Sequence, residues 1–301
     1  MKMVEIAFSE RYIYTLPAGH RFPIGKYKRI VDKLLVDRII GADQIYDPGM
    51  VDNEVLLAHD SDYYNKVIQY TLSPSEIRTL GVPLHEGSVG RAINSVAGTV
   101  RSVEKARKVG LGISIGGGYH HAFSDHGEGF CIFNDLAIAA RHLLQTTQNY
   151  NILIVDLDVH QGNGTASILS EDDNIYTFSM HGSKNYPAKK IPSNYDLELP
   201  DGMSDKDYLY NLEHALELIL KQFYPDFILY QAGVDVLQSD QLGRLGLSME
   251  GCRKRDEIVF NTIRQLNIPS ALTLGGGYSK DIGIIIQAHV NTINTAIDIL
   301  G

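Results

Sequence analysis

Short runs of Ile, Val and Leu recur along this chain, each followed closely by glycine or an acidic residue and then by a longer stretch of helical periodicity. Residues 112–115, 152–158, 175–179, 227–231 and 271–274 are too short for buried helices and rich in branched side chains, which marks them as strands. Their nearly unbroken apolar character is that of strands covered on both faces. Between them lie amphipathic patterns at 132–145, at 208–223 (Leu209, Leu212, Leu216, Ile219 and Phe223 on one face) and at 249–266. Two more precede them: 26–40, with Ile30, Leu34 and Ile39 before Gly41, and 89–108, with Ala92, Val96, Val100 and Val103 before Gly110. The alternation predicts an α/β fold with a mostly parallel central sheet flanked by helices on both faces. In such sheets ligands bind beyond the carboxyl ends of the strands, so the residues just after each run carry the functional information. The stretch 181–204 has no clear periodicity and is read as an active-site loop.

Composition narrows the functional classes. A chain of 301 residues with a net charge of −9 lacks the basic excess that neutralises a phosphate backbone, so direct nucleic-acid binding is not expected. Two cysteines, Cys131 and Cys252, stand far apart and suggest neither a disulfide framework nor a thiolate metal site, as expected of a reducing cytosol. Residues 1–11 carry Glu5, Glu10 and Arg11 where a signal peptide would be apolar, and no run approaches membrane-spanning length. A single domain over 1–301 in a cytoplasmic protein is therefore expected.

The run at 152–155 closes in Asp156-Leu157-Asp158-Val159-His160, and strand alternation would place Asp156, Asp158 and His160 on one side. Carboxylate and imidazole from one strand end, with a third ligand from elsewhere, suit a catalytic zinc site that keeps a coordination position open. Asp235, after the run 227–231 and a Gly-containing turn, is the best third ligand, although a lone acid there also suits a turn or a helix cap. Gly116-Gly117-Gly118-Tyr119-His120-His121 follows the run at 112–115. Adjacent histidines in an extended chain point apart and need separate partners; a buried structural pair is the plainer alternative. Without a GxGxxG pattern or a Walker lysine, the glycines do not indicate nucleotide binding. Gly275-Gly276-Gly277-Tyr278 repeats the arrangement after 271–274, and a phenol at such an exit can donate to an oxyanion or simply pack.

Taken together these segments resemble the histone deacetylase family of arginase-type α/β metal hydrolases, and most closely its class IV branch. The resemblance begins near Gly25-Lys26-Tyr27 and Leu56-Leu57-Ala58-His59-Asp60 and sharpens at GGGYHHAFSDHGEGFCIFND (116–135). It continues through DLDVHQGNGTA (156–166), AGVDVLQSDQLGRLGLS (232–248) and LGGGY (274–278). It implies that Asp158, His160 and Asp235 bind zinc, with iron(II) the alternative ion, and that His120 and His121 flank the attacking water. Asp156 would pair with His120 and Asn163 would orient His121. Tyr278 would face the substrate carbonyl, while Gly118, Phe130 and, on the opposite wall, Tyr186 would line a narrow acyl-lysine channel. A monovalent cation near Asp156, Asp158 and Ser179 is implied in the same way.

The implied activity is hydrolysis of an acyl group, acetyl or longer fatty acyl, from the ε-amine of lysine by metal-activated water. His121 would serve as base and then as acid to the leaving amine, and Tyr278 as oxyanion stabiliser. Where class I members carry a second carboxylate, this chain has Asn163, as fits classes II and IV, and its amide orients His121 without stabilising the imidazolium; Gln161 points towards class IV. The substrate is an acylated lysine of a protein or peptide, or else a small acylated amine such as an acetylpolyamine, which a negative chain could attract. A non-catalytic scaffold that binds acylated lysine is the remaining reading.

Overall fold

A computed structural model describes residues 4–51 and 53–301 of the chain. Met1, Lys2 and Met3, part of the segment read against a signal peptide, lie outside the described residues. Eight strands, β1 Ile6–Ala7, β2 Ile45–Tyr46, β3 Leu111–Ser114, β4 Ile152–Asp156, β5 Ile175–Gly182, β6 Tyr195–Leu199, β7 Phe227–Gln231 and β8 Ser270–Thr273, form one sheet in the order β2-β1-β3-β8-β7-β4-β5-β6. Every pairing is parallel. The helices are α1 Lys26–Val36, α2 Ser61–Ile68, α3 Pro74–Leu80, α4 Glu86–Val109, α5 Asp135–Thr146, α6 Asn163–Leu169, α7 Asp205–Gln222, α8 Met249–Leu266 and α9 Ile282–Leu300.

The apolar runs are continuous because the sheet is buried on both sides. Leu153 and Val155 of β4 pack into a core with Tyr208 of α7, Phe260 of α8 and Ile293 of α9, while Ile152 and Ile154 pack into a second core with Val100 of α4 and Leu136 of α5. Strand β7 divides likewise, Ile228 and Tyr230 to the first core and Phe227 and Leu229 to the second. Each such Leu or Ile contributes about 2 kcal/mol on burial, so sliding one of these strands by a residue would exchange its two buried faces.

Local signals set the helix ends. Ser248 accepts the Gly251 N–H at the start of α8, and Asn267 ends that helix in the left-handed region. Ser73 and Glu76 form a capping box at α3, with Pro74 in its first turn. One expectation needs correction. The stretch 181–204 is not all loop: β5 extends to Gly182, and Tyr195–Leu199 adds an edge strand beside it, pairing Ser179 with Asp196. Its alternating Tyr-Asp-Leu-Glu-Leu is masked by the prolines and lysines before it.

The four central strands β3, β8, β7 and β4 end on one side of the sheet. Their exits carry Gly116–His121, Gly275–Tyr278, Asp235 and Asp158–His160, so the sequence motifs converge because these strands are neighbours.

Candidate active site

Strand β4 stops at Asp156, and the polar residues after it are brought together by a turn rather than by strand alternation. The Asp158 N–H donates to Asp156 Oδ1 at 3.1 Å and the His160 N–H to Asp158 Oδ1 at 3.0 Å, so the segment folds onto its own carboxylates. The neighbouring exits complete the binding of these acids. The Gly276 N–H donates to Asp158 Oδ2 at 2.7 Å and the Val159 N–H to Asp235 Oδ1 at 2.9 Å. A Cβ on Gly276 would stand 2.0 Å from Asp235 Oδ2, which is why that exit needs glycine.

Asp158, His160 and Asp235 present ligand atoms that all lie within 4.8 Å of one another. His160 Nδ1 is 3.0 Å from Asp158 Oδ1 and 3.1 Å from Asp235 Oδ2. All three residues are buried, and among the described residues neither carboxylate pairs with a lysine or arginine. Burial, with the neighbouring Asp158 charge, pushes the Asp235 carboxyl up to about 7. Two adjoining carboxylates and an imidazole, with neither acid paired to a lysine or arginine among the described residues, form a donor set that suits a divalent metal ion.

The paired histidines sit in a turn, not in extended chain, with ring centroids 4.1 Å apart, and they do have separate partners. His120 Nδ1 lies 2.7 Å from Asp156 Oδ2; His121 Nδ1 lies 2.7 Å from Asn163 Oδ1, at the start of α6. The two differ electrostatically. Burial opposes charge on His120, but the Asp156 and Asp158 carboxylates outweigh it and push the imidazole up to about 9. Burial, followed by the His120 and His160 charges, holds His121 well below the usual histidine range.

Gly118 adopts φ +104°, its N–H donates to the Asp135 carboxylate at 3.0 Å, and its carbonyl accepts from Gln231 Nε2 at 3.0 Å. Phe130, also at positive φ, packs with ring centroids 5.9 Å from Phe22 and 6.3 Å from Tyr278. The Tyr186 ring stands edge-on to His121 at 5.0 Å, and its hydroxyl donates to Glu128. The Tyr278 ring lies 6.3 Å from that of His160, and burial, with the Asp235 and Asp158 charges, holds its phenol protonated well above the usual range. Ser179 lies opposite Asp156 in the β4–β5 register, its hydroxyl 3.0 Å from His181 Nδ1.

Asp158, His160, His120, His121, Phe130 and Tyr278 line a cavity of about 30 Å³, together with Tyr27 and Tyr119. Above it opens a mouth of about 370 Å³ between Phe130, Tyr186 and Tyr278.

Three supporting residues had no assigned role in the sequence reading. Asp240 Oδ2 accepts the Tyr278 N–H at 2.6 Å while Oδ1 accepts from Leu242 and Gly243; an Asp three residues before Gly is a turn signal that could have exposed it. Asp135, an acid in the first turn of α5, accepts from Gly118, Tyr119 and Thr99. Lys26, fully buried, donates to the Gly275 carbonyl at 2.7 Å, and nothing in its amphipathic helix announces that.

The histone deacetylase domain model matches residues 20–293. The chain belongs to the histone deacetylase family. An uncharacterised protein of Picosynechococcus is 41% identical over 94% of this chain and 95% of its own length. Histone deacetylase 2 of Arabidopsis thaliana is 28% identical over 98% of this chain and 79% of its own length. The crystal structure of a histone deacetylase homologue from Aquifex aeolicus superposes with a TM-score of 0.81 over 99% of this chain and 88% of its own, at 24% identity, and so shares the fold. A histone deacetylase family hydrolase thus carries the buried Asp-His-Asp group at the strand ends where its sequence motifs converge.

Proposed function

We propose that this chain is a metal-dependent amidohydrolase that removes a short acyl group from the ε-amine of lysine. The observation that carries the reading is that one small cavity is lined by Asp158 and His160, which form a group with Asp235, by two histidines with unlike partners, and by Tyr278. Zinc, or iron(II), held by Asp158, His160 and Asp235 would supply Lewis-acid polarisation and a more acidic water.

The chain's own groups divide the remaining work. With its Nδ1–H donated to Asn163 Oδ1, neutral His121 keeps its Nε2 lone pair free, so it takes the proton of the attacking water and returns it to the leaving amine. His120, paired with Asp156, holds positive charge beside the reacting centre. Tyr278 donates a hydrogen bond from its hydroxyl to the developing oxyanion. Phe130 and Tyr186 flank the lysine methylenes at the mouth. A cavity of about 30 Å³ suits an acetyl-sized group far better than a long fatty acyl chain, the other end of the expected range.

The test is hydrolysis of lysine peptides acylated from acetyl to myristoyl, with acetylspermidine alongside, before and after chelation. Chelator-sensitive turnover that peaks at the short chains is expected. Hydrolysis indifferent to the chelator, or none on any amide, overturns the proposal; turnover of acetylspermidine alone transfers the activity to small amines.

A further inference from the structure

The mouth carries a sign of charge opposite to that of the whole chain. Its charged rim residues are Arg21, in the segment before α1, Arg78 on α3, Lys184, which follows β5, and Arg244, which follows β7. No aspartate or glutamate lines that opening. Lys184 and Arg244 share one carboxylate, Asp201, at 3.7 and 3.2 Å, yet their side chains stay 70% and 55% exposed. Arg21 and Arg78 are exposed, and no ion pair engages either among the described residues. Glu128, behind the Tyr186 wall, is occupied by Tyr186 and by Asn163 Nδ2. In a chain of net charge −9 this ring is no general background of basic residues.

We infer that the mouth selects acyl-lysine within acidic polypeptide, with Asp or Glu flanking the modified residue. This rests on the deacylase reading above and names its substrate class. The four cations come from separate segments and sit outside the narrow cavity, so they meet what lies beyond the acylated nitrogen rather than the acyl group itself. A polyamine, which carries further ammonium groups there, is repelled. Exposed charges of this kind act over about 8 Å at physiological salt and weaken as salt rises, which gives the inference a signature of its own.

The test uses three fluorescein-labelled acetyl-lysine peptides of equal length, flanked by Glu, Ser or Lys, and measures both Kd by anisotropy on the metal-loaded Tyr278→Phe protein and kcat/KM on the metal-loaded wild type. The Glu peptide is expected to bind about tenfold more tightly than the Lys peptide at low salt, with the ratio shrinking towards one in 0.5 M salt. Arg21→Glu/Arg78→Glu should compress or reverse that ratio. Equal affinities, or preference for the Lys peptide, overturn the inference. So does free acetyl-lysine competing as well as the Glu peptide, since the site then takes a small anion. Because binding is read without turnover, absence of hydrolysis on every peptide strikes the deacylase reading, while indifferent Kd values strike this one.

Discussion

The side-chain amide of Asn163 donates to Glu128 Oε1 at 3.0 Å while its oxygen faces His121 at 2.7 Å. The amide thus holds two groups that need opposite polarity, which a carboxylate at 163 would not do. An Asp there would set two carboxylates in contact, one already engaged by the Tyr186 hydroxyl. Asn163→Asp is therefore expected to lower kcat/KM, and Glu128→Gln to restore much of the loss in the double variant. The expected coupling is on the order of tenfold, the size usual for contacting residues. A kinetic double-mutant cycle decides it; simply additive effects would show that Glu128 plays no part in the choice of amide.

Asp240 reaches Tyr278 through a backbone contact, the 2.6 Å bond from the Tyr278 N–H. Tyr278→Phe should retain bound metal yet lose about 10² to 10³ in kcat, the usual loss for one oxyanion donor. Asp240→Ala should lose about tenfold in the wild-type background and little in the Tyr278→Phe background, since it acts by placing the phenol. An equal loss in both backgrounds would make Asp240 a stability residue only. Metal content and thermal unfolding of each variant accompany the kinetics.

The buried Asp158 and Asp235 carboxylates lack a lysine or arginine partner among the described residues, so metal removal should weaken the fold as well as the activity. At metal concentrations about 100-fold above Kd, binding contributes about 2.7 kcal/mol, which for a chain of this length is a Tm change of about 4 °C. Chelation followed by calorimetry, with zinc or iron(II) restored, measures it. An unchanged Tm would mean that these groups hold no metal under those conditions.

How much of this was legible in the sequence depended on whether the signal was local. Strand 227–231 and helix 249–266 coincide with β7 and α8, because burial on both faces and a Ser248 cap write themselves into consecutive residues. The grouping of Asp158, His160 and Asp235 was legible as strand-end polar residues, but not its cause: β4 ends at Asp156, and a turn rather than strand alternation makes the convergence. Contacts between distant segments left no such trace. Lys26 reaches Gly275 across 249 residues, and Asp240 reaches Tyr278 across 38, and neither pairing has a period or a spacing to reveal it. The two-residue strands β1 and β2 were invisible for a different reason, being shorter than any alternation that could mark them.

His59 supplies a pH dependence that lies away from the metal ligands. Its ring packs 5.2 Å from that of Phe133, and its Nε2 accepts the Asn134 N–H at 2.8 Å, just before the α5 turn whose Asp135 holds Gly118. Burial pushes its imidazole down to about 4. An unfolded histidine titrates near 6.5, so below that pH the unfolded chain takes up a proton that the folded chain refuses. The stabilisation is complete above about pH 6.5, is lost as pH falls towards 4, and stays lost below. Over that window the loss amounts to about 3 kcal/mol, with a limiting slope of about 1.4 kcal/mol per pH unit. His59→Gln, which has no such proton to bind, should be less stable than the wild type at pH 7 but lose stability less steeply between pH 6.5 and 4.5. Denaturant unfolding of both proteins across that range gives the two slopes, and parallel curves would remove His59 as the source of acid sensitivity.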